Sequence, residues 1–198
     1  MSQILLLQSS LNGPASHTNQ LMERFLQTRR EQGHQDQVVV RDLTALDLPA
    51  LDSPLFHALR GAEPANEAIR QAVALSDRLI AELKAADLLL IGAPMYNLNV
   101  PTPLKNWFDL VARARVTFRY TDTYPMGLVE GVNALVFSSR GGVHQGQATD
   151  AVTPYLQSVL GLMGIPVEFV YAEGMDLRPH GAEQGMREAH ARIAGLGR

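Results

Sequence analysis

Five short apolar runs, separated by stretches of helical period, constrain this chain more than anything else in its sequence. The runs are Ile4 to Leu7, Val38 to Val40, Leu88 to Ile91, Ala134 to Phe137 and Val167 to Tyr171. Runs this short and this apolar suit strands of a parallel sheet that is buried on both faces. Between them, apolar residues recur at helical spacing: Leu21, Phe25 and Leu26, then Ile69, Val73, Ile80 and Leu83, then Leu104, Phe108 and Val111. Val152, Leu156, Val159 and Met163 continue the series, and a weaker stripe of Met186, Ala189 and Ile193 closes it. The alternation predicts an α/β fold, a doubly wound five-stranded parallel sheet with helices on both faces.

Residues 1–198 fall where one domain is the usual outcome, and folding at this size buries roughly 70% of the unfolded surface. Two connections are longer than such a unit requires, one from about Asp47 to Glu63 and one from Arg115 to Val132. They read as excursions from the same domain, suited to a dimer contact or a pocket wall, or else as plain surface decoration.

Cysteine is absent, so disulfides, thiolate metal sites and a CxxC redox pair are impossible, and any redox chemistry has to come from a bound cofactor. Lys and Arg number 17 against 20 Asp and Glu, and no basic run exceeds Arg29 and Arg30, so the electrostatic footprint of a nucleic-acid binder is missing. The six histidines show no metal-ligand spacing. The expected partner is a small molecule. The run Ile4 to Leu7 is too short for a signal-peptide core or a bilayer span, so a soluble, cytoplasmic protein without a membrane partner is expected.

In open parallel sheets a ligand sits beyond the carboxyl ends of the strands, where strand order reverses, which narrows the chemistry to three loops. After the first run come Ser9, Ser10, Leu11, Asn12, Gly13, Pro14, Ala15, Ser16, His17 and Thr18, and then a helix. Ser16 or Thr18 can cap that helix, and its unpaired first-turn amides with the hydroxyls of Ser10, Ser16 and Thr18 would surround an anion. Neither Gly-x-Gly-x-x-Gly nor a P-loop is present, which leaves a monophosphate, with flavin mononucleotide (FMN) the natural candidate on this topology. The same residues also suit plain caps and turns.

The second loop runs from Gly92 through Met95, Tyr96, Asn97 and Leu98 to Pro103, with Thr102 expected as N-cap and Pro103 at the first helical position. Its irregular apolar and aromatic character suits the edge of a flat ring, although a Met-Tyr pair also suits core packing. The third loop holds Ser138, Ser139, Arg140, Gly141, Gly142, Val143 and His144. Paired glycines let backbone approach a ligand closely, and their amides would stabilise negative charge near N1 and O2 of a reduced flavin. Arg140 is either a ligand group or a surface charge, and His144 is near enough in sequence to assist.

Taken in order, Ala93 to Asn97, Leu104 to Asp109, Thr117 to Tyr120, Ser139 to Gly142 and Ala172 to Gly174 resemble the motifs of the FMN-dependent NADH-azoreductases, relatives of the NAD(P)H:quinone oxidoreductases. The resemblance covers nearly the whole chain. It implies a flavodoxin-like, homodimeric enzyme that holds FMN tightly but not covalently and takes NADH or NADPH as co-substrate, with quinones and azo compounds as acceptors. It further implies FMN contacts from Ser10, Ser16, His17 and Thr18 at the phosphate, from Met95, Tyr96, Asn97 and Leu98 beside the ring, and from Ser139, Arg140, Gly141 and Gly142 at the pyrimidine end. The active site would lie at the dimer interface, lined by Tyr120, His144, Leu162 and Asn97. Leu98 and Leu162 stand where relatives often carry aromatics, and Asp122 to Met126 lacks a common glycine-containing pattern, departures that bear on substrate preference.

The flavin would perform the chemistry in two half-reactions through one shared pocket, so no catalytic side chain is strictly required. A flavodoxin-type electron carrier is the alternative, against which stand the weak net charge and the aromatic segment Arg115 to Tyr124. A hydrolase using Ser9 or Ser10 would need a Gly-x-Ser-x-Gly elbow, which is missing.

Overall fold

A computed structural model describes residues 1–196. Its strands β1 (Gln3–Gln8), β2 (Gln37–Asp42), β3 (Leu88–Gly92), β6 (Asn133–Ser139) and β7 (Val167–Ala172) form one sheet in the order β2-β1-β3-β6-β7. Every pairing in it is parallel. The chain steps outward from β1 to β2 and then returns to the other side of β1 with β3, so strand order reverses between β1 and β3. That is the point where this topology opens a crevice for a ligand.

Alternate residues of the central strands feed two separate cores. Leu5, Leu7, Leu89, Ile91, Ala134 and Val136 face helices α2 (Ser53–Ala58), α3 (Glu67–Ala85), α4 (Thr102–Val111) and α5 (Val152–Met163). Ile4, Leu6, Leu90, Leu135 and Phe137 face α1 (His17–Glu31) and α6 (Gly181–Leu196). Burial on both faces leaves these strands no polar side, which explains their unbroken apolar runs. The predicted helix stripes are the buried ones, with Met22, Leu79, Trp107 and Leu160 completing them, while Ile69, Val73, Val159 and Met186 are only partly covered.

Two expectations need correction. Val38, Val39 and Val40 are not buried on both faces but are 37%, 39% and 48% exposed. Strand β2 is an edge strand paired only with β1, and neither core reaches over it. Thr102 does not cap α4; Pro101 occupies the cap, its carbonyl accepts from Leu104 and Lys105, and no side chain helps. The long connections also carry structure of their own. Asp52 caps α2 within the first, and the second folds back as an antiparallel hairpin of β4 (Phe118–Arg119) and β5 (Met126–Gly127). Gly127 packs directly on the Gly164 backbone at the end of α5, where any side chain would collide.

Candidate active site

The loop leaving β1 is fastened from both sides. Ser9 Oγ donates to the Gly92 carbonyl at 2.6 Å, tying the loop to the end of β3. A short 3-10 turn at Gly13–Ala15 then delivers Ser16 to the N-cap of α1, where its hydroxyl accepts from the Asn19 amide at 3.2 Å. Ser16, and not Thr18, is therefore the cap. Thr18 is fully buried, its hydroxyl 3.0 Å from Ser16 Oγ and beneath Gly92, where a Cβ would sit 3.1 Å away.

The amides of His17 and Thr18 in that first turn have no acceptor among the described residues. His17 Nδ1 and Asn19 Oδ1 are buried with no hydrogen-bond partner. Buried polar atoms left this way are rare and call for a ligand or solvent. They cluster where a helix N-terminus favours an anion.

Tyr96 joins this loop to the next. Its hydroxyl accepts from the Leu11 amide and shares a hydrogen bond with Ser10 Oγ, both at 3.1 Å, while Ser10 Oγ accepts from the Asn12 amide. Beyond Tyr96 the chain reverses in two residues: Tyr96 and Asn99 exchange both backbone bonds, and Asn97 and Leu98 both have positive φ, at 50° and 64°. Two left-handed residues in such a reversal make a type I′ turn, which asparagine tolerates and leucine adopts at a cost of about 1–2 kcal/mol. The tip carries Leu98 outward, 45% exposed.

Backbone pairing continues past the ends of β3 and β6. The Ala93 amide donates to the Phe137 carbonyl, Met95 to Ser139 and Arg140 to Ala172, at 2.8–2.9 Å. Beyond that point the carbonyls of Arg140, Gly141 and Gly142 accept from the amides of Met175, Asp176 and Gly174. In a planar trans peptide the N–H points opposite to the C=O, so the amides of Gly141, Gly142 and Val143 face away from the 174–176 segment. Those three amides have no acceptor among the described residues. Gly141 lies against the Asp176 carboxylate and Gly142 against the His144 ring, so a side chain at either position would displace its neighbour.

Arg140 is neither a surface charge nor a side chain free to meet a ligand. It is 1% exposed, and its guanidinium reaches Asp150 at 3.0 Å, Glu173 at 3.2 Å, Ser138 Oγ at 3.2 Å and Thr153 Oγ1 at 2.8 Å, over the face of Tyr171. Burial alone would raise the Asp150 carboxyl, but hydrogen bonds from Arg140 and Thr153 outweigh it and hold the group below the usual carboxylate range. Burial pushes the Tyr171 phenol up against the opposing effects of Thr153 and Arg140. Sequence reasoning missed this cluster, because its partners are brought in from α5 and from beyond β7.

His144 Nδ1 bonds Thr149 Oγ1 at 2.8 Å. Tyr120 is 64% exposed beside the β4–β5 hairpin, edge-on to Phe118 at 5.5 Å, and Leu162 is half-buried on α5. No hydrogen bond or ring contact joins either of them to the three loops among the described residues. A cavity of about 850 Å³ borders Ser10 and Leu11 on the flank of α1, yet Met95 to Leu98 and Ser139 to Gly142 do not line it.

These residues fit a flat ring bearing one phosphate: partnerless polar groups in the α1 turn at one end, three free amides at the other, and an apolar turn between. The flavodoxin-like fold family matches residues 2–196. An FMN-dependent NADH:quinone oxidoreductase 4 of Burkholderia lata is 66% identical over 197 residues, 99% of each chain. An FMN-dependent NADH:quinone oxidoreductase of Aeromonas salmonicida is 51% identical over 197 residues, again 99% of each. The crystal structure of an azoreductase from Bacillus anthracis superposes with a TM-score of 0.87 at 28% identity, covering 100% of this chain and 99% of that one. Fold, site geometry and end-to-end similarity agree: the chain belongs to the flavodoxin-like family that contains the FMN-dependent NADH:quinone oxidoreductases.

Proposed function

We propose that this protein is an FMN-dependent NADH:quinone oxidoreductase that also reduces azo compounds, and that it works as a cytoplasmic homodimer. The observation that carries the reading is the row of three free amides at Gly141, Gly142 and Val143, set across the β1/β3 switch point from the partnerless first turn of α1. FMN, when bound, supplies hydride chemistry by accepting two electrons from NADH and yielding them to the acceptor. For a quinone the balance is NADH, quinone and one proton giving NAD⁺ and hydroquinone.

The chain supplies the rest. Ser10, Ser16, His17 and Thr18 belong to the phosphate end, with Ser16 and Thr18 shaping the turn and the amides of His17 and Thr18 meeting the anion. Met95, Tyr96, Asn97 and Leu98 border the ring. Ser139 and the free amides of Gly141, Gly142 and Val143 border its pyrimidine edge, the amides placed to stabilise negative charge, while Arg140 holds their loop from behind. Donor and acceptor occupy one pocket in turn, and so the kinetics are ping-pong.

Support for the dimer comes from apolar side chains clustered in sequence around the excursions and the turn tip: Phe56, Leu98, Tyr120, Met126 and Tyr124, the last 79% exposed. A second copy covering them would bring Tyr120 and Leu162 to line the acceptor space. No helix among the described residues is long and apolar enough to cross a membrane.

The test is an absorbance spectrum of the purified, FMN-reconstituted protein before and after anaerobic NADH. Bleaching of the flavin band, then recovery on adding a quinone, is the expected result. A bound flavin that NADH leaves unchanged would point to an electron carrier, and no bound flavin would overturn the assignment.

A further inference from the structure

Glu173 lies outside the residues that meet the flavin in the reading above, yet one of its oxygens gathers the third loop. Oε1 accepts from the amides of His144 and Gln145, both at 2.8 Å, and from Arg140 Nη1 at 3.2 Å. The next three residues, Gly174, Met175 and Asp176, donate their amides to the carbonyls of Gly142, Arg140 and Gly141 at 2.9–3.0 Å. The segment after β7 thus takes every carbonyl from Arg140 to Gly142. Its carboxylate then captures the two amides that follow the free row.

We infer that Glu173 is a positioning residue for the flavin: it ends the row of free amides after Val143 and holds that row in register. The inference rests on the FMN reading. The chemistry explains why a carboxylate serves here. A single ionised oxygen can accept several N–H donors at once, in bonds about twice as strong as neutral ones. The Arg140 guanidinium offsets the cost of burying it and is itself also paired with Asp150 at 3.0 Å. Without Glu173 the amides of His144 and Gln145 lose their acceptor, and the loop is free to turn them or to withdraw the row from the ring. An amide row that stabilises developing charge matters more to reduced than to oxidised flavin. A residue that merely pairs with Arg140 would affect stability and both flavin states alike.

The experiment compares Glu173→Ala and Glu173→Gln with the parent holoenzyme. FMN affinity is measured by fluorescence titration, the flavin midpoint potential by spectroelectrochemistry, and amide exchange over residues 141–145 in the flavin-free proteins. Glutamine keeps a carbonyl oxygen for the two amides but gives up the charge that strengthens those bonds and pairs with Arg140. The expected result for Glu173→Ala is a loss of affinity about tenfold greater for reduced than for oxidised FMN, equal to about 30 mV of negative shift for a two-electron couple. Its loop amides should exchange faster even without flavin, and Glu173→Gln should restore most of the affinity and potential. An unchanged potential in Glu173→Ala would overturn the inference while leaving the FMN reading intact. So would a glutamine variant as impaired as the alanine one with loop amides exchanging no faster than in the parent, because charge alone and not the capture of the two amides would then be what matters. A parent protein that binds no FMN would remove both, and the exchange data would then reduce Glu173 to a loop fastener.

Discussion

Replacing Arg140 with methionine separates a buried ionic cluster from a packing site. Methionine approximates the length of the side chain but leaves Asp150 and Glu173 without their cation in a place where the arginine is 1% exposed. Removing one partner of a buried pair costs about 3–5 kcal/mol, because the remaining charge stays desolvated. At about 2–4 °C per kcal/mol for a chain of this size, the melting temperature should fall by about 6–20 °C.

The pH dependence carries a definite sign. In the parent protein the Asp150 carboxyl lies below its ordinary range, so its stabilisation is complete above the unfolded value and disappears as pH falls through the folded one. In Arg140→Met burial acts without its main opponent and raises the folded value, so the penalty is full near neutrality and shrinks as acid protonates the carboxyl. The stability gap between parent and variant should therefore narrow from about pH 7 to about pH 4. Urea unfolding of both flavin-free proteins across that interval is the assay. A gap below about 1 kcal/mol near neutrality, or one that widens in acid, would refute the assignment of Arg140 as the charge hub.

Other perturbations test the rest of the site. Tyr96→Phe removes the hydroxyl that joins the first two loops and should cost about 0.5–1.5 kcal/mol per lost bond, seen as weaker FMN binding in a fluorescence titration. Leu98→Gly relieves a left-handed leucine and should raise stability by up to about 1 kcal/mol in chemical denaturation, while altering the acceptor range in steady-state assays. Tyr120→Ala and His144→Ala should change acceptor specificity or rate without abolishing turnover. Complete loss of turnover with flavin still bound would assign one of them an obligate chemical role.

The sheet and its helices could be read from the sequence because burial on two faces writes unbroken apolar runs and burial on one writes a helical stripe. What such runs do not encode is position within the sheet, and so Val38 to Val40 looked central although β2 lies at an edge. The loop positions were readable from the reversal of strand order and from Gly141 and Gly142. The wiring of those loops was not. Arg140 acquires its meaning from Asp150 and Glu173, which only folding brings to it, and a carboxylate after β7 has no local signature of a loop clamp. The left-handed pair Asn97 and Leu98 was not foreseen: leucine disfavours that conformation and yields only because the exchange of bonds between Tyr96 and Asn99 over-determines the backbone.

The backbone ladder that runs on beyond β3 and β6 has a corollary for binding. The rim that would receive the ligand in the proposed reading is an extension of the sheet, since Ala93, Met95 and Arg140 are pinned by the same kind of bond that holds the strands. Little ordering entropy remains to be spent on association, which favours affinity without added contacts. In the proposed reading a side chain at the hairpin tip, such as Tyr120, could then change the choice of oxidant without loosening that rim.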